Sequence, residues 1–128
     1  MGPWGSGIVV AAIAALIVVV LLEEPVARPS PAERGELSFR KEAMCLTCHI
    51  LNDRGGQNAP PLDGVATKFI GLKGGRGQAK KFFHDHIIDP KNNPGTERAK
   101  YPFTQMPSFI GLGEEKIDDI CEYLLTLK

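Results

Sequence analysis

A chain of 128 residues with fifteen Lys and Arg against fifteen Asp and Glu has room for one small domain plus an appendage, and no net charge. That balance excludes the strongly basic surface of a dedicated nucleic-acid binder. Fourteen glycines and ten prolines, with one Trp, two Tyr and six Phe, describe a loop-rich fold that needs a bound group to complete its core.

The first segment is apolar. Gly2 to Leu22 carries no charge, Ile8 to Leu22 is apolar without interruption, and Trp4 stands where an interfacial aromatic is expected. A cleavable secretory signal is the competing reading. It would normally show a Lys or Arg ahead of the apolar run and small residues just after it; none precedes the run, and Ser30 and Ala32 lie far beyond Leu22. Residues 1–22 are therefore predicted to be one uncleaved transmembrane helix. Residues 23–32 form a linker with Pro25, Pro29 and Pro31, extended at ~3 Å per residue and holding the globular part up to about 25 Å from the bilayer. Residues 33–128 form the predicted domain. Its first helix starts at Ser30-Pro31-Ala32-Glu33, an N-cap serine, a first-turn proline and a third-position glutamate, and runs to about Met44.

That helix delivers the chain to Cys45-Leu46-Thr47-Cys48-His49. Two cysteines three positions apart reach one flat molecule, and the histidine after them can turn its imidazole onto a metal at that molecule's centre. This is the spacing of covalent haem attachment, with two thioethers and one axial nitrogen. A redox dithiol or half of a zinc site are the alternatives, but no strand-helix context supports the first and adjacent Cys48 and His49 are awkward joint ligands for the second. Cys121 is left over, so no disulfide framework is implied.

Further along, Gly71 to Gly77 reads as a flexible loop, lacking the Lys-Ser/Thr ending of a phosphate-binding loop. Gln78 to Asp89 reads as a helix stopped by Pro90. Glu114 to Leu127 reads as an amphipathic helix, with Ile117, Ile120, Cys121, Leu124 and Leu125 on its apolar stripe and Asp118, Asp119 and Glu122 opposite. On that stripe Cys121 is a core residue rather than a reactive thiol. A second iron ligand would come from His84, His86 or Met106. Met106 lies in Tyr101 to Pro107, where two prolines forbid regular helix, so it has less reason to be core filler.

Taken together, Glu33 to Lys128 resembles the class I monohaem cytochromes c. The matching features are Gly35 and Phe39 ahead of the haem motif, Pro60-Pro61-Leu62 after it, Met106-Pro107 before the last helix, and Tyr123-Leu124-Leu125 within it. The resemblance implies an all-α, cytochrome c-like domain around one covalent haem c, here behind a transmembrane helix. It implies thioethers at Cys45 and Cys48, axial ligation by His49 and Met106, a Pro60 carbonyl holding the second nitrogen of His49, and Gly35 crossing the last helix near Tyr123. The Pro60 role also answers a physical need, since a ligating imidazole must be kept from rotating. His86-Ile87-Ile88-Asp89-Pro90 is similar to a stretch in membrane-associated members. His84 and His86 are read as surface or hydrogen-bonding residues, with displacement of Met106 by either as the alternative.

The expected role is one-electron transfer rather than enzyme catalysis. Its partners would be membrane redox complexes of the cytochrome b/c, oxidase or reaction-centre kind, with the chain itself a tethered carrier or a fixed subunit. Arg28, Arg34, Arg40 and Lys41 all come after the apolar run, which by charge alone would keep the domain inside. Covalent haem attachment in this family belongs on the far side, and this outweighs the charge count. The domain is expected on the periplasmic face of a bacterial inner membrane. Lys68, Lys73, Arg76, Lys80, Lys81, Lys91, Arg98 and Lys100 make the middle of the chain basic against an acidic last helix, an asymmetry that can steer docking. The function from another class is a haem enzyme or gas sensor with a labile sixth ligand.

Overall fold

A computed structural model describes residues 26–128; the predicted transmembrane helix and the start of the linker lie outside the described residues. No helix among the described residues is long and apolar enough to cross a membrane. Helix α1 (Pro31–Lys41) opens with a reciprocal capping box. Ser30 Oγ accepts from the Glu33 amide and the Glu33 carboxylate accepts from the Ser30 amide at 2.7 Å. The helix ends short of the predicted Met44. The Ala43 amide turns back onto the Ser38 carbonyl, and Met44 itself is left-handed at φ 48°.

After a 3-10 turn at Cys45–Thr47 come two short antiparallel strands, β1 (Ile50–Leu51) and β2 (Arg54–Gly55). Helices α2 (Val65–Lys73) and α3 (Arg76–Ile88) come next, then 3-10 turns at Arg98–Lys100 and Ile110–Leu112, and last helix α4 (Glu114–Leu124). The glycine-rich stretch is thus not a flexible loop. Gly71 is inside α2, Gly74 and Gly75 turn the chain at φ 82° and 142°, and Gly77 is in the first turn of α3. Glycine is required at the two turn positions because side chains rarely adopt such angles.

The first and last helices cross at Gly35. A Cβ there would sit 1.8 Å from the Asp119 carbonyl oxygen and 2.9 Å from the Ile120 amide nitrogen. The backbone nearest Gly35 is therefore that of Asp119 and Ile120, one turn before the Tyr123 that the family resemblance implied. Tyr123 meets Phe39 instead, ring centroids 5.2 Å apart. Asp119 also departs from its predicted outward position. It is buried, and its two oxygens accept from Arg34 Nε and Nη2 at 2.8 and 2.7 Å across the crossing. Below it, Phe39, Ile117, Ile120, Cys121 and Leu125 are fully buried, with Phe69, Phe83 and Ile87 joining from α2 and α3. Cys121 is core, as its place on the stripe predicts.

Much of the basic middle segment is neutralised within the fold. Lys80 reaches Asp118 and Glu122 at 2.7 and 2.8 Å, and Arg76 reaches Glu122 at 2.7 Å, joining α3 to α4. Lys68 pairs with Glu97 and Lys81 with Asp85. The hydrogen bond from Lys80 holds the Glu122 carboxyl below its ordinary value of 4.5. A depressed carboxylate stabilises the fold above its unfolded-state value, and that contribution is lost as pH falls through the folded one. Lys80→Met is expected to lower the denaturant midpoint at neutral pH by the equivalent of up to about 1 kcal/mol. The gap from wild type should close as pH drops well below 4.5; a gap independent of pH would show that packing, not charge, is lost.

Candidate functional site

The turn that carries the haem motif is closed by backbone hydrogen bonds. The amides of Cys48 and His49 both donate to the Cys45 carbonyl, at 3.3 and 3.0 Å, closing the turn that puts the two thiols on one side. Asn52 and Asp53, both left-handed at φ 51° and 58°, then reverse the chain in the two-residue turn that suits a twisted hairpin. The reversal lays Gly55 and Gly56 against the motif. Added Cβ atoms there would stand 2.1 Å from the His49 carbonyl oxygen and 2.2 Å from that of Thr47. The Gly56 amide donates to the Leu46 carbonyl at 2.9 Å, and the Cys48 carbonyl accepts from Asn58 and Ala59 at 3.1 Å each. Reading the sequence missed this backing strand, although Asn-Asp followed by Gly-Gly was its signal.

From there the chain passes Pro60, whose carbonyl lies 2.7 Å from His49 Nδ1. A carbonyl only accepts, so Nδ1 carries the ring proton and Nε2 keeps its lone pair. Burial holds the His49 imidazole below the usual histidine range, the Pro60 carbonyl partly offsets this, and His86 lowers it further. A neutral, oriented imidazole with a bare Nε2 is what a metal ligand requires.

Cys45, Cys48, His49, Pro60 and Met106 all line one cavity of about 830 Å³. That volume is within the span of sites that enclose a whole organic group, about 300–1,000 Å³. Its walls are mainly apolar, with Phe39, Phe69 and Phe82 among them; Lys68, Arg98 and Lys100 supply cationic lining. Met106 is half-buried against the core, on the loop ahead of the last helix.

The two other histidines part company. His84 does not line the cavity; its Nε2 lies 2.7 Å from Glu114 and its Nδ1 3.4 Å from Asp85. His86 does line it, with Nδ1 2.6 Å from the Asn93 carbonyl and its ring stacked on Phe82. Both histidines make hydrogen bonds, as the sequence reading expects, but only His86 faces the cavity.

The chemistry of the donors separates the candidate cofactors. Burial pushes the Cys45 thiol up to about 12, away from the thiolate that a redox dithiol needs. Among the described residues no group of three or more His, Cys, Asp or Glu can hold a metal. All three cysteines are free of disulfides. A flat macrocycle that brings its own equatorial donors and takes two thioethers would fit these walls, with Arg98 as a cation for its carboxylates.

Comparison with known families agrees: residues 32–128 match the cytochrome c family. The chain belongs to the cytochrome c family. As a class I cytochrome c, it carries covalently attached haem c, and the motif cysteines are Cys45 and Cys48. Its work is electron transfer, the haem supplying the one-electron iron couple when bound. No curated protein and no solved structure matches this cytochrome.

Proposed function

We propose that this cytochrome is a membrane-tethered one-electron carrier whose iron is held between His49 and Met106. It relays electrons between membrane redox complexes, either moving on its tether or fixed as a subunit of one of them. The observation that carries the reading is the meeting of Cys45, Cys48, His49 and Met106 around a single cavity. The chain's own residues do the rest of the work. Pro60 fixes the tautomer and plane of His49, the apolar walls exclude water, and Met106 closes the position a substrate would need. A methionine-histidine pair raises the haem potential into a range suited to relay.

The uncharged stretch Gly2 to Leu22 supports the tether, and covalent haem attachment supports a periplasmic domain on a bacterial inner membrane. Exposed Met44 at the cavity wall offers apolar surface for a redox partner to cover.

The oxidised protein is expected to show the far-red sulfur-to-iron band and, reduced, to resist carbon monoxide. Met106→Ala should abolish the band and lower the midpoint potential. A wild type with no such band and rapid carbon monoxide binding would point instead to a haem enzyme or gas sensor. Purification in mild detergent decides the second half: a free carrier comes away alone, a subunit with its complex.

A further inference from the structure

His86 is arranged like His49. Both imidazoles line the same cavity, and each has Nδ1 on a backbone carbonyl, Pro60 for one at 2.7 Å and Asn93 for the other at 2.6 Å. In the neutral ring each therefore keeps Nε2 as an unprotonated nitrogen, the state in which imidazole binds metal. The plane of His86 is fixed as well, since its ring lies within 15° of parallel to Phe82 at 5.7 Å.

The end of α3 that carries His86 is tied to the loop that carries Met106. The Phe109 amide donates to the Ile87 carbonyl at 3.0 Å, and the Ser108 hydroxyl donates to the Ile88 carbonyl. His86 directly precedes the first acceptor, and Met106 stands just ahead of the donors. The two side chains are thus presented by neighbouring stretches that are clasped together. Two other nitrogen donors on the wall, Lys68 and Lys100, have their ammonium groups on Glu97 at 2.9 and 3.4 Å.

We propose that His86 is a reserve axial ligand: when the Met106 thioether leaves the iron, His86 Nε2 takes its place. One neutral donor replaces another, so the exchange moves neither a proton nor an electron. The chain would then hold its iron in two six-coordinate forms, and the nitrogen-nitrogen form has the lower potential. A partner or membrane contact that draws Met106 away while the clasp at Ser108 and Phe109 holds would turn a good electron acceptor into a poor one. The proposal rests on Met106 being the resting ligand.

The test uses the full chain with haem attached, as wild type, Met106→Ala, and Met106→Ala with His86→Gln. Glutamine can still donate to the Asn93 carbonyl but offers no imidazole. The thioethers keep the haem in every variant, so each yields a spectrum. At neutral pH the oxidised single variant is expected to lose the sulfur band yet stay low-spin, with the near-infrared signature of two nitrogen ligands. The double variant should turn high-spin and, once reduced, bind carbon monoxide at least tenfold faster than the single one. A high-spin single variant, or a double variant that stays low-spin because a lysine has moved in, would overturn the role of His86. A wild type with no sulfur band would overturn the Met106 reading itself, a separate result.

Discussion

Gly35→Ala is expected to destabilise the haem-loaded protein by about 3 kcal/mol, the upper end of what overpacking a well-filled contact costs. The added methyl would meet the Asp119 carbonyl oxygen at 1.8 Å, its carbon at 2.4 Å and the Ile120 amide nitrogen at 2.9 Å. All three are backbone atoms, so no side chain can swing aside. Helices α1 and α4 must separate, which pulls Phe39 from Tyr123 and lengthens both Arg34–Asp119 hydrogen bonds. Alanine favours helix over glycine by up to about 1 kcal/mol, which opposes the loss without cancelling it. Denaturant unfolding followed by far-ultraviolet circular dichroism measures the balance. An unchanged midpoint would mean that the two helices do not touch at this position.

Removing both thioether sites should have a larger effect still. Cys45→Ala with Cys48→Ala is expected to give a haem-free chain without fixed tertiary packing, a loss on the order of 5 kcal/mol, the whole stability of many small domains. The reason is the cavity of about 830 Å³, whose apolar walls include faces of α1, α2 and α3. Without haem these faces have only water or one another to meet, and the stretches that bridge them are loops. Helices α1 and α4, joined at Gly35, should persist longest. Near-ultraviolet circular dichroism and amide exchange would show it, and a haem-free variant that unfolds cooperatively near the wild-type midpoint would refute the expectation.

The first and last helices among the described residues were the legible part. Ser30, Pro31 and Glu33 announce the start of α1 by side-chain chemistry, and the stripe from Ile117 to Leu125 announces α4 by period. The motif stood out by its spacing, and the family resemblance singled out Pro60 and Met106, which the fold brings to the same cavity. Helix α2 was not legible. Its cap position is a left-handed glycine with no side chain to bond the first amides, and Gly71 interrupts it. Only tertiary burial of Val65, Ala66 and Phe69 keeps it helical. Charge misled in a similar way. Asp119 and Glu122 read as solvent-facing acids, yet one is buried under Arg34 and the other joins Lys80 and Arg76. Nothing in composition says which charges a fold will bring together. His84 and His86 make the same point at the site. Two positions apart on one helix, they point to different sides, and only the placement of α3 decides which one meets the cavity.

The crossing at Gly35 also has a meaning in time. On a chain that emerges from its N-terminus, α1 and the haem motif are exposed long before Asp119 and Ile120 exist to meet Gly35. Until then Phe39 has no Tyr123 to rest on and the cavity has no floor of Ile120 and Leu124. Contacts between such distant parts of a sequence form late. Synthesis order alone therefore keeps Cys45 and Cys48 accessible for an interval, and the last helix ends it by shutting the pocket behind whatever has been attached.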